Sequence, residues 1–289
     1  MHVLITDSGV GGLSVVAYAE RFVRTHGFTE PVRLTFANAA PANDFGYNSM
    51  PTRDEKIATF DRFLRSVDAR FAPDSIYVAC NTLSVLLPDT PFFAQGATPV
   101  KGIVETGAEL LLRELAFDPQ SVAMIFGTQT TIDAGAYPRI LVQRGVNPSR
   151  IVSQACPGLA DTISEDREGA RTAAEIGKWV GVALAKTQRP DAPVVAYLAC
   201  THYGYRKEHF AAAFDAADVR ATIVDPNERA VDDILDPHSE DRSREVSVEF
   251  VTRYPIPVAT LETLTFYLGD ISPRTVAAMQ NFEHLPDLF

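Results

Sequence analysis

The sequence is short of the residues that most often announce a site: 289 positions hold 3 cysteines, 6 histidines and a single tryptophan. Three widely spaced cysteines do not make a disulfide framework, so reduced thiols are the expected state. No Cys-x-x-Cys pair, His-Glu-x-x-His run or Cys/His cluster is present, and no metal site is expected. Basic charge is also scarce, with 26 Lys and Arg against 37 Asp and Glu and a formal net charge of −11. No stretch gathers the cations into a stripe, which argues against a nucleic-acid partner. Long apolar runs are missing too: nothing approaches the ~18 residues that span a bilayer, so no membrane partner is expected. The opening MHVLITDSGVGGLS enters a short apolar strand with no basic or cleavable leader pattern, and a cytoplasmic protein is the expectation.

What the sequence does have is alternation. The apolar runs HVLIT, VRLTF, SIYVA, SVAMIF, RIVSQ, VVAYLA and RATIVD are separated by helical stretches such as DEKIATFDRFLRSV, TGAELLLREL, TAAEIGKWVGVALAK and EHFAAAFDA. This pattern predicts an α/β fold with largely parallel sheets, whose sites lie in the loops after the strands. With 46% hydrophobic and 22% charged residues, the chain is too long for one small core and predicts two domains. The Gly/Pro-bearing GATPVK at 96–101 and the end of THYG at 204 suggest the boundaries. One domain then comprises 1–99 with 206–289, the other 100–205. The charged stretch 226–254 reads as a solvated helix and loop followed by a strand.

The two halves resemble each other. SIYVACNTLS at 75–84 and VVAYLACTHYG at 194–204 each run apolar strand, Ala-Cys, polar pair, with Cys80 and Cys200 120 positions apart. A single buried cysteine is most often a small core residue, and Cys156 in QACPGL is read that way. A thiol at a strand end facing a helix N-terminus is another matter, because the helix dipole is expected to lower its pKa toward the thiolate. Two such thiols fit the inversion of a stereocentre, which takes a proton from one face and delivers one to the other. His202, two residues past Cys200, also fits a cysteine-hydrolase pair, although that leaves Cys80 without a role. In DSGVGGLS at 7–14, Gly9, Gly11 and Gly12 permit a tight strand-to-helix turn with exposed amides, but neither a dinucleotide fingerprint nor a P-loop. Asp7 there either caps the following helix or meets a substrate ammonium.

Taken together, DSGVGGLS, ACNT and ACTHYG resemble the glutamate racemase family of the aspartate/glutamate racemase superfamily. GTQTTIDAGAY at 127–137, QACPGL at 154–159 and ATIVDPNERAVDDIL at 221–235 extend the likeness over about residues 1 to 235. The resemblance implies two similar parallel-sheet α/β domains with pseudo-twofold symmetry and an active site in the cleft between them. It implies a cofactor-independent (PLP-independent) racemase acting on glutamate or a related acidic amino acid, linked through its D-amino acid to peptidoglycan. A homodimer is a common arrangement for such enzymes. Carried over by position, Cys80 and Cys200 are the acid/base thiols, with Asp7, His202 and Glu165 supporting proton transfer. Ser8, Gly46, Asn81, Thr82, Thr128 and Thr201 bind substrate. The sequence departs from the family at 36–50, FANAAPANDFGYNSM: Asn38 stands near an expected Asp, the family's Arg is missing, and Gly46 with Phe45 or Tyr47 only approximates its Tyr-Gly pair. The departure leaves open a superfamily member that isomerises or decarboxylates another diacid, or an inactive racemase-like binding protein.

Overall fold

All seven apolar runs form strands in the computed structural model, which describes residues 1–43, 45–235 and 243–289. They are β1 (His2–Asp7), β2 (Val32–Asn38), β3 (Ser75–Val78), β5 (Val122–Gly127), β6 (Ile151–Ala155), β7 (Val194–Ala199) and β8 (Ala221–Val224). β9 (Val246–Thr252) is the strand expected at the end of the charged stretch. β4 (Val100–Gly102) and β10 (Glu283–His284) carry too few residues to show a pattern. The central strands β5 and β7 are buried along their whole length, which is why they read as unbroken apolar runs rather than as alternation.

The chain divides into two compact units, residues 1–103 with 227–289, and residues 104–226. In the first, six parallel strands lie in the order β10-β9-β2-β1-β3-β4. In the second, four parallel strands lie in the order β6-β5-β7-β8. Strand order locates the boundaries. β4 pairs with β3, so the chain leaves the first unit after residue 103. β8 pairs with β7, so residues 206–226, which the sequence assigns to the first domain, lie in the second unit with the helix Lys207–Ala216.

The four-strand set β2-β1-β3-β4 has the same order as β6-β5-β7-β8, so the sequence repeat is also a repeat of topology. β9 and β10 extend the first sheet beyond it. β9 is fixed beside β2 by Phe250, whose ring meets those of Phe36 and Phe282 at 5.1 and 5.9 Å. Of the charged stretch, Val231–Ile234 forms a short helix and Val246–Thr252 the strand; residues 236–242 lie outside the described residues. The helix Arg53–Phe71 starts at a capping box, with Thr52 accepting from the Glu55 amide and Glu55 accepting from the Thr52 amide. Among the described residues no helix is long and apolar enough to cross a membrane.

Candidate active site

In the first unit, three neighbouring strands end side by side. β1 delivers Asp7 and Ser8, β3 leads through Ala79 to Cys80, and β2 ends at Asn38, paired in register with Asp7. The Cys80 sulfur lies 3.1 Å from the Ser8 hydroxyl, which in turn lies 3.3 Å from Asp7 Oδ1. Asp7 is buried and does not cap the following helix. That helix, Leu13–His26, begins at Gly12 without a side-chain cap, while Asp7 Oδ1 accepts from the Gly9 amide at 3.3 Å. Gly12 makes room for this arrangement: a Cβ there would lie 2.9 Å from Asp7 Cβ and Oδ2 and 3.2 Å from Ala79 Cβ.

The expectation of a lowered Cys80 pKa is reversed. Burial, followed by the charge of Asp7, pushes the thiol up to about 12, against the donors at Ser8 and Leu83. The helix that follows Cys80 spans only Asn81–Ser84, too short to build an appreciable dipole. At rest Cys80 is therefore a neutral thiol. Asn81 and Thr82 are buried directly after it.

The second unit repeats the placement with different chemistry. Thr6 pairs with Val78 and Phe126 with Leu198, so Cys80 and Cys200 each stand two residues beyond equivalent rungs. Likewise the Ala39 amide donates to the Asp7 carbonyl and the Cys156 amide to that of Gly127. Gly127 thus holds the place of Asp7, Thr128 that of Ser8, and Cys156 that of Ala39. Cys200 is buried with Thr201, and its sulfur lies 3.9 Å from His202 Nδ1. Thr128 caps the helix Gln129–Ala134, accepting from the Thr131 amide at 3.3 Å. Cys156 is packed away, its carbonyl accepting from the Tyr203 hydroxyl at 3.3 Å, and burial pushes its thiol up to about 12.

Two positions singled out from the sequence sit elsewhere than the buried clusters. Glu165 ends the helix Leu159–Glu165 with its carboxylate 60% exposed and Arg171 at 3.9 Å. Gly46 is exposed, its backbone extended, with open space where a Cβ would be. Its neighbour Tyr47 is only 1% exposed, packed edge-on against Phe60, with no hydrogen-bond partner for its hydroxyl. Such a group costs about 1–3 kcal/mol to bury. Sequence reading named Tyr47 only as an alternative to Phe45 beside Gly46; the structure buries Tyr47 and leaves Phe45 exposed. Asn38 is engaged structurally, accepting from the Ala40 amide at 2.9 Å and donating to Thr252 Oγ1 at 3.4 Å, while the Tyr254 hydroxyl donates to the Pro41 carbonyl at 3.0 Å. The departing segment is thus tied to the added strand β9 and the turn after it. Among the described residues, no group of three His, Cys, Asp or Glu is placed to hold a metal ion.

No protein-family model matches the chain. Among curated proteins it is 30% identical over 237 residues to the glutamate racemase of Syntrophus aciditrophicus, covering 79% of this chain and 76% of that one. It is 30% identical over 213 residues to the glutamate racemase of Thermus thermophilus, covering 70% and 68%. Among solved structures, glutamate racemase from Francisella tularensis in complex with D-glutamate shares the fold with a TM-score of 0.69. The sequences there are 19% identical, with 98% of this chain and 96% of that one covered.

Proposed function

The chain belongs to the glutamate racemase family of isomerases, and from that premise we propose that it interconverts L- and D-glutamate by proton transfer through two thiols, Cys80 and Cys200. One observation carries the reading. Two four-strand sets of the same order each deliver a buried cysteine at the same register position, followed by a buried small polar residue. Inversion uses such a pair directly: a thiolate takes the α-proton, a thiol gives a proton to the opposite face, and the roles exchange in the reverse direction. The protons balance with no oxidant, reductant or carbonyl cofactor.

The surroundings suggest how each thiol is prepared. The Asp7 charge opposes ionisation of Cys80, so a substrate ammonium held by Asp7 offsets that charge and lets the proton leave. Ionisation of Cys80 is then coupled to occupancy, and the free enzyme keeps its thiol protonated. His202 Nδ1, 3.9 Å from the other sulfur, is the group that exchanges a proton with Cys200. Ser8, Gly46, Asn81, Thr82, Thr128 and Thr201 are assigned to the substrate's carboxylates, and Glu165, exposed at the end of its helix, to a supporting role in proton transfer. Glutamate is favoured as substrate by the names of the relatives and by the D-glutamate bound to the Francisella tularensis protein.

The test is α-proton exchange in heavy water, followed by NMR, with both enantiomers of glutamate and aspartate. Inversion of glutamate, lost in both Cys80→Ala and Cys200→Ala, is the expected result. Full inversion in either variant would remove that thiol from the mechanism, and inversion of aspartate alone would correct the substrate.

A further inference from the structure

Gly46 is exposed and extended, with open space where a Cβ would be, so its position is set through its neighbours in the loop. We infer that Arg253 and Phe289 are positioning residues for this loop: they join a run of side-chain contacts that grips it at Pro41 and again at Tyr47. This rests on the reading of Gly46 as a substrate-binding residue.

The run starts at the turn after β9. Thr252 Oγ1 donates to the Tyr254 carbonyl at 2.8 Å and accepts from the Tyr254 amide at 3.3 Å. Tyr254 is thereby held with its hydroxyl on the Pro41 carbonyl at 3.0 Å. The next contact is the Arg253 guanidinium, whose carbon lies 5.5 Å from the centre of the Tyr254 ring and 5.1 Å from that of Phe289. Both distances are within the reach of cation–π attraction. Arg253 Nε also donates to the Pro286 carbonyl at 3.2 Å, and the Leu285 amide to the Thr252 carbonyl at 2.9 Å, so residues 285–289 are tied to the turn they face. Phe289 meets Phe63 edge-on at 5.2 Å, Phe63 stacks on Phe60 at 6.3 Å, and Phe60 meets Tyr47 edge-on at 6.4 Å. Each of these ring pairs lies at an attractive separation.

Phe289 is itself anchored. Ser66 Oγ donates to the Leu288 carbonyl, Leu288 is fully buried, and Arg70 pairs with Asp287 at 2.8 Å. These contacts fasten 287–289 to the helix Arg53–Phe71, the same helix that carries Phe60 and Phe63. Pro41 and Tyr47 flank Gly46 in the chain, so both ends of the run bear on one short stretch. Loss of Arg253 or Phe289 opens the run in its middle without touching a residue assigned to the substrate. Packed side chains of this kind transmit position. A loop no longer held must be ordered when substrate binds, and that ordering weakens binding, so the loss falls on KM.

The test compares Phe289→Ala, Phe289→Tyr and Phe282→Ala in the full-length protein. Phe282 packs on Phe250 at 5.9 Å and makes none of the contacts in the run, so its variant controls for general loosening. One readout is hydrogen exchange of the Ala40, Ser49 and Met50 amides, each hydrogen-bonded within the loop or to Asn38 at its start. The other is kcat and KM for glutamate racemisation. Phe289→Ala is expected to exchange these amides about fivefold faster and to raise KM about fivefold with kcat within about twofold, the effect of losing one aromatic contact. Phe289→Tyr is expected to match the parent in both readouts, and Phe282→Ala to leave both unchanged. Unchanged exchange in Phe289→Ala, or equal acceleration in Phe282→Ala, would overturn the brace. Faster exchange with KM unchanged would overturn its role in positioning substrate. A parent protein inert toward glutamate would be a failure of the proposed function instead, and hydrogen exchange would still decide the brace.

Discussion

The two units place their cysteines alike and surround them differently. Beyond the central strand of the first unit stand Asp7 and Ser8, which put a carboxylate and a hydroxyl beside Cys80. At the same rungs of the second unit stand Gly127 and Thr128, no carboxylate, and an imidazole 3.9 Å from Cys200. Backbone topology duplicates position, while the side chains set the protonation state. A racemase gains from that asymmetry, because one thiol must begin protonated and the other must be able to give its proton away.

The largest effect expected from breaking the pair is loss of catalysis in Cys80→Ala or Cys200→Ala, on the order of 10²–10⁴ in kcat, the usual worth of a positioned acid or base. Racemisation followed by polarimetry checks this, and Cys156→Ala, at the position of Ala39 in the other unit, is expected to keep most of its activity. Asp7→Asn sharpens the comparison by removing the charge from the position where the second unit has Gly127. The Cys80 thiol is then expected to fall from about 12 toward its ordinary value, giving faster iodoacetamide labelling at pH 8 in the free enzyme while kcat drops.

The pKa of Cys80 also ties stability to pH. A thiol raised in the folded state binds its proton more tightly there than in the unfolded chain, so its contribution to stability is full below about pH 9 and is lost as pH rises toward 12. Urea midpoints at pH 8 and pH 10.5 are expected to separate, and to separate less in Cys80→Ala. Gly12→Ala presses a methyl group onto Asp7 and Ala79 and is expected to cost about 1–3 kcal/mol, whereas Gly46→Ala meets open space and is expected to leave stability unchanged. Thermal unfolding of the two variants tests the contrast. The smallest effect belongs to Glu165→Gln, whose exposed pairing with Arg171 at 3.9 Å is worth about 0–1 kcal/mol.

The repeat and eight of the ten strands were legible, seven as apolar runs, which full burial leaves uninterrupted in β5 and β7, and β9 as the end of the charged stretch. β4 and β10 were not, being three and two residues long with no period to detect. The placement of 206–226 escaped because the THYG loop looks like a boundary, while pairing of β8 with β7 is a tertiary fact. The cysteines could be picked out by motif, but not their state. A strand end before a helix suggests a lowered pKa, and only the packing of Asp7 under Gly12 reveals the charge and burial that raise it. The choice between Phe45 and Tyr47 stayed open for a related reason, since nothing in a loop sequence tells which aromatic turns inward.

The most direct test of the two-thiol mechanism is where solvent deuterium appears during the first few per cent of glutamate turnover in heavy water, read at Cα by NMR or mass spectrometry. Two thiols on opposite faces put deuterium in the inverted product while the recovered substrate keeps its proton. Deuterium appearing in the recovered substrate as fast as in the product would mean that a single group serves both faces, and would contradict the assignment of Cys80 and Cys200 as a pair.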